Sequence, residues 1–270
     1  MTRRIDTVML FDELDMLKVR LRELENVPDL EHVIVEAAVD HQGNPKPLWL
    51  GDNWGQFEPW HDRMIHIVAD LSRQTSPWGR ENAQRAAVWE GLSRLSVRGD
   101  DIVWLCDVDE IPSQAMVAAE PLEMTAVNMR LSMFAVDWVW PEETRICVMG
   151  RASMLEDLGW QRNNGPRSLM PLLHRGGWHF TWLGGPEEIE RKARRHCHLE
   201  LNGLILAGNL DGDWYEEGYT WHGQDVYPPR RRTTRMERAT IDETWPVAIR
   251  EGDCPASWFR FDHRSEASYG

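Results

Sequence analysis

Asp107, Asp109 and Glu110 follow directly on the apolar run Ile102, Val103, Trp104 and Leu105, in the segment DDIVWLCDVDEIP at residues 100–112. Such a run marks a strand buried on both faces of a sheet. If the strand keeps its two-residue period to the end, Asp107 and Asp109 share a face and Glu110 opens the turn. In open α/β sheets, ligands bind beyond the carboxyl ends of the strands. Two carboxylates placed there repel each other, and a hard divalent ion such as Mn2+ or Mg2+, with room for a diphosphate, is their natural partner. A polar loop, or a cap for a helix opening at Pro112 and Ser113, is the structural alternative. A cap needs one carboxylate, however, and this strand delivers three.

Two further stretches carry chemistry. WGRENAQR at residues 78–85 gathers Arg80, Asn82 and Arg85 at a helix start, where the dipole favours a phosphate. A solvated first turn with local ion pairs is the competing reading. In HRGGWHFTWLGGPEE at residues 174–188, glycine pairs bracket an aromatic strand, so backbone or ligand can approach closely. His179 faces opposite to Trp178 and Phe180 there, free to serve as metal ligand or base, or to sit as a satisfied buried histidine. Glu187 and Glu188 follow, placed either for a ligand or for the first turn of a helix. In RHCHLE at residues 195–200, His196, Cys197 and His198 diverge by about 100° per helical residue, so at most one belongs to a given site. PPRRRTTR at residues 228–235 reads as a solvated loop or an anion-binding segment.

The elements that must position these groups alternate. Strands are expected at residues 7–11, 32–36, 64–69 and 100–109, with helices at 13–25, capped by Asp12, and at 80–95. Residues 41–60, rich in Gly and Pro, read as a long irregular loop. This order predicts the α/β class, a mostly parallel sheet covered by helices. Further on, the pattern predicts strands at 125–136, 145–150 and 178–183, a short helix at 153–159, and a helix at 187–198 with Pro186 in its first turn. Past residue 208 apolar runs become scarce, which predicts a loosely packed extension.

The composition sets outer limits. With 270 residues, 42% hydrophobic and 27% charged, the chain suits a soluble protein of one large domain, or of a domain with an appended subdomain. A net charge of −14 argues against nucleic-acid binding over the whole surface, though not against a local basic site. The four cysteines show no C-x-x-C pair and read as reduced thiols, and no apolar stretch suits a signal peptide or a membrane span, so a cytoplasmic setting is expected. The 15 Trp, against 4 Tyr and 6 Phe, supply flat faces suited to sugar rings.

Taken in order, DTVMLFDELDMLKVRLREL, HVIVEA, GNPKPL, WGRENAQR, DDIVWLCDVDEIP and GWHFTWLGGPEEIERK resemble glycosyltransferase family 17, across roughly Asp6 to Glu200. The resemblance implies a GT-A, Rossmann-like fold, with a domain at residues 1–207 (donor half 1–112, acceptor half 113–207) and an irregular extension at 208–270. It implies inverting transfer of N-acetylglucosamine or another hexose from a nucleotide sugar, expected to be a UDP-sugar, to a hydroxyl of a glycan or other acceptor. Asp107 and Asp109 match the family's D-x-D, expected to hold Mn2+ or Mg2+ and through it the donor diphosphate. Arg80, Asn82 and Arg85 match its R-E-N-x-x-R and are assigned to the donor. His179 matches G-W-H-F and is expected as third metal ligand, with His198 as competitor. The catalytic base is expected at Glu187, then Glu188, then Asp137, with Trp138, Trp140 and Trp182 as a stacking floor. A membrane anchor or secretory stem of the kind lumenal members carry is not expected ahead of Asp6. Other readings are glycosyl transfer to a protein or to a viral DNA base, nucleic acid entering only as acceptor, and a metal-dependent phosphotransferase or phosphatase. A non-catalytic carbohydrate-binding module would explain the tryptophans but not the D-x-D.

Overall fold

The computed structural model describes residues 2–162, 164–195, 197, 219–220 and 234–260. Strand β1 (Arg4–Met9) is followed by helix α1 (Leu14–Leu24), β2 (Leu30–Ala37), the short α2 (Trp49–Asp52), a 3-10 helix (Trp54–Arg63) and β3 (Met64–Ala69). Helices α3 (Pro77–Ala86) and α4 (Val88–Arg94) then lead to β4 (Ile102–Asp107). The four strands run parallel in the spatial order β3-β2-β1-β4. Alternate residues feed two cores, Val8, Ile34 and Trp104 on one face and Ile5, Val33, Val35 and Val103 on the other. Burial on both faces explains the unbroken apolar runs, and each fully buried Val or Ile contributes about 1.5–3 kcal/mol.

Beyond β4 come β5 (Glu110–Pro112), α5 (Gln114–Val117), β6 (Thr125–Met133), β7 (Trp138–Val139) and β8 (Thr144–Arg151). Then follow α6 (Leu158–Arg162), α7 (Asn164–Leu169), β9 (Leu172–Leu173), β10 (Gly177–Thr181) and α8 (Pro186–Ala193). Strand β8 lies antiparallel between β4 and β6, and β10 pairs parallel with β6 and antiparallel with β5. The α/β class is as expected. The parallel character belongs to β1 to β4, which form one end of the sheet, and the other half is mixed.

Several elements differ from their sequence patterns. Residues 41–60 are not an irregular loop throughout, because Leu50 and Phe57, both fully buried, anchor α2 and the 3-10 helix. The single helix expected over 80–95 breaks at Ala87, which lets α3 aim Gln84 and Arg85 toward the ends of β1 and β4. On α4, Gly91 lies so close to β2 that an added Cβ would fall 2.2 Å from Val33 Cγ1. Asp12 does not cap α1; Glu13 holds the cap position, and its carboxylate accepts from the Phe11 and Asp12 amides.

Loose packing does not hold for residues 234–260. Trp245, Ala248 and Ile249 are buried in the main core, and the helix Val247–Glu251 packs on α1. Residues 228–233 of PPRRRTTR, together with His196 and His198, lie outside the described residues.

Candidate active site

The sheet order reverses between β1 and β4, the topological switch where an open α/β sheet leaves a crevice. Met9 and Asp107 face each other across that point, one at the end of each strand. A cavity of about 310 Å³ opens there, lined among others by Leu10, Glu13, Gln84, Asp107, Asp109 and His179. A second, of about 340 Å³, shares Asp109, Trp182 and Lys192 with it and adds Asp12, Glu188 and Arg191.

The D-x-D segment is not a continued strand. β4 ends at Asp107, residues 108–109 turn, and Glu110 begins β5 rather than opening the turn. Two arginines fix this corner. Arg162 from α6 donates to Glu110 Oε1 at 2.7 Å and to Asp107 Oδ2 at 3.2 Å, while Glu110 Oε2 accepts the Asp107 amide at 2.8 Å. Arg20 from α1, fully buried, donates to the Glu110 carbonyl at 2.6 Å and the Asp107 carbonyl at 3.3 Å. Its other edge pairs with Asp6, which also bonds His32 Nδ1 at 2.9 Å. Burial opposes the Asp6 charge, but Arg20 and then His32 hold its carboxyl well below the usual range.

Asp107 is doubly neutralised, by Arg85 on Oδ1 at 3.0 Å and Arg162 on Oδ2 at 3.2 Å. These partners outweigh burial and hold its carboxyl well below the ordinary range. Asp109 faces different groups: His179 Nε2 lies 3.7 Å from Oδ1, and Lys192 Nζ lies 3.3 Å from Oδ2. Burial opposes the Lys192 charge, yet Asp109 and Glu13 keep its ammonium well above its ordinary value.

His179 reaches the cavity because β10 alternates. Trp178 and Phe180 go into the core, and His179 goes to the opposite face. Gly177, at φ +143°, lets β5 approach, since an added Cβ would lie 2.0 Å from the Ile111 carbonyl oxygen. Asp109 and His179 suit a divalent cation: an oxygen and an imidazole donor lie one ligand-to-ligand edge apart. Among the described residues, His179 Nδ1 is buried without a hydrogen-bond partner. Asp107 lines the same cavity but is held differently, each oxygen on a buried arginine that already matches its charge. His41, Glu81 and Cys197 also cluster, with one ligand-type atom each within 4.8 Å of the others. Burial and then the Glu81 charge push the Cys197 thiol well up, so it acts as a donor to Glu81 Oε2 at 2.7 Å.

The other sequence candidates divide. Arg85 joins Asp107, but Arg80 donates to the His41 carbonyl at 3.0 Å, and exposed Asn82 lies against Gly159. Glu188 borders the second cavity, paired with Arg191 through Oε2 at 2.6 Å, whereas exposed Glu187 borders neither cavity. Asp137 stands apart, fully buried, its Oδ1 accepting the Arg260 amide at 2.9 Å. Of the three tryptophans, Trp182 alone borders either cavity. Sequence reasoning missed Asp6, Glu13, Arg20, Arg162 and Lys192. Only Arg20 left a signal, since it shares a helical stripe with Leu17 and Leu24.

A model of glycosyltransferase family 17 matches residues 1–179, two thirds of the chain, including Asp107, Asp109 and His179. The chain belongs to glycosyltransferase family 17. This family 17 chain is 26% identical over 226 residues to the Homo sapiens beta-1,4-mannosyl-glycoprotein 4-beta-N-acetylglucosaminyltransferase, covering 69% of this chain and 42% of that protein. The Rattus norvegicus protein of the same name is also 26% identical, with 41% of it covered. The chain thus spans about two-fifths of the length of these curated relatives. Among solved structures, a mannosyltransferase from Pyrobaculum calidifontis in complex with GDP-Man and Mn2+ is similar at a TM-score of 0.41 and 13% identity, over 76% of this chain and 64% of that one. S. aureus TarS 1–349 is similar at 0.39 and 13%, over 79% and 72%. No helix among the described residues is long and apolar enough to cross a membrane.

Proposed function

We propose that this family 17 chain is an inverting, metal-dependent GT-A-type transferase that moves N-acetylglucosamine or another hexose from a UDP-sugar to a hydroxyl acceptor. The observation that carries the reading is the switch-point cavity, where the D-x-D corner meets His179. Asp109 and His179 would hold Mn2+ or Mg2+, which when bound supplies charge stabilisation for the departing diphosphate. Asp107 acts at one remove, by fixing Arg85 and Arg162 beside the donor crevice. The acceptor oxygen attacks the anomeric carbon, the bond from that carbon to the diphosphate oxygen breaks, and the nucleoside diphosphate leaves. The acceptor proton goes to Glu188, the sequence candidate that borders a cavity together with Asp109. The names of the two relatives, both N-acetylglucosaminyltransferases, support N-acetylglucosamine as the sugar.

Calorimetry with UDP, in Mn2+ and then in chelator, tests the donor half. Binding with Mn2+ that vanishes on chelation is expected, and equal affinity in both overturns the cation role. Incubation with a panel of UDP-sugars, read by mass spectrometry, tests the reaction. Release of inorganic phosphate instead of the nucleoside diphosphate would favour a phosphatase.

A further inference from the structure

Three lysines occur in the whole chain, Lys18, Lys46 and Lys192, and Lys192 borders both cavities. It stands on the last turn of α8, with Nζ 3.3 Å from Asp109 Oδ2, 3.6 Å from Glu13 Oε1 and 5.7 Å from the centroid of the Trp182 ring. Its neighbour Arg191 turns instead to Asp12 and Glu188. The other cations at the D-x-D corner are locked, because the Arg85 and Arg162 side chains are 6% and 7% exposed and bonded to Asp107. Lys192 is 24% exposed on a flexible four-carbon stem. A divalent ion at Asp109 would place like charge against this ammonium and weaken its hold there. The same cavity would receive the diphosphate, for which a lysine ammonium is a suitable point charge.

Building on the donor and cation reading above, we propose that Lys192 is the exchangeable cation of the site. Its ammonium neutralises Asp109 and Glu13 while no divalent ion is bound, and turns to the donor diphosphate once Asp109 is taken.

The experiment titrates the full chain by calorimetry with Mn2+ alone, then with UDP at saturating Mn2+. Lys192→Met should bind Mn2+ roughly tenfold tighter and UDP roughly tenfold weaker, the size expected for one charge-assisted contact. A structural role would move both affinities the same way or neither, and either result overturns the proposal. Lys192→Arg, which keeps the charge, should stay near wild type in both. A second measurement needs no variant: acylation of Lys192 by an amine-reactive ester, read by peptide mass spectrometry against Lys18 and Lys46. Mn2+ alone should speed the labelling of Lys192, and UDP added on top should protect it. Unchanged labelling overturns the exchange even if Lys192→Met fails to fold. A wild-type chain that binds neither Mn2+ nor UDP overturns the donor reading itself, and this inference with it.

Discussion

Arg20 donates to the backbone carbonyl of Glu110 at 2.6 Å, so the helix after β1 fixes the chain that leaves β4. Asp6 holds the other edge of the same guanidinium inside the sheet. A buried ion pair is a costly way to gain stability, since desolvation offsets much of the attraction. Here it serves geometry: one planar group sets the D-x-D corner against β1.

Arg20→Met should therefore lower the unfolding free energy by about 3–5 kcal/mol, because Asp6 and three carbonyls lose their shared donor. Denaturant titration measures it. Asp6→Asn combined with Arg20→Met should recover part of the loss, since no buried charge is then left unpaired. If the double variant is as unstable as the two single losses added, the pair is not acting as a unit.

Acid should weaken this network in a defined window. The Asp6 carboxyl is held below its ordinary value of 3.8, so its contribution is fully present above that value and is lost as pH falls toward the native one. The stability difference between wild type and Asp6→Asn should be flat from about pH 7 to pH 5 and shrink below about pH 4. A difference that instead grows on acidification would reverse the sign and exclude the assignment.

The two aspartates of the D-x-D should separate on substitution. Asp107→Asn weakens the charge partner of two buried arginines and should lower stability by about 1–3 kcal/mol, visible as a drop in Tm. Asp109→Asn should leave Tm near wild type and remove the Mn2+ dependence of UDP binding. Equal effects of both changes on Tm and on Mn2+ affinity would contradict the division of labour.

Glu188→Gln should keep donor affinity and Tm while transfer falls by ~10²–10⁴-fold, the usual cost of losing a general base. Glu187→Gln should stay near the wild-type rate, and Asp137→Asn should act on stability, given its buried bond to the Arg260 amide. Transfer that survives in Glu188→Gln would move the assignment to Asp12, whose carboxyl is pushed up by burial and by the Glu13 charge beside it.

The sequence by itself determined what depends on local pattern. Apolar runs buried on both faces marked β1, β2 and β4, and the period of two on β10 sent His179 away from Trp178 and Phe180. The stretch DDIVWLCDVDEIP put carboxylates at a strand end because strand length is written in consecutive residues. Tertiary structure alone decided how those carboxylates are shared. Arg162 lies 55 residues from Asp107 and Lys192 lies 83 from Asp109, separations that no periodicity spans. Pairing at such distances depends on how α6 and α8 pack back on the sheet, so Asp107 became the arginine-bound member of the D-x-D and Asp109 the one beside His179 and Lys192. The same cause separated Glu187 from Glu188. Neighbours on a helix point about 100° apart, and only the packing of α8 settled which of them borders the site.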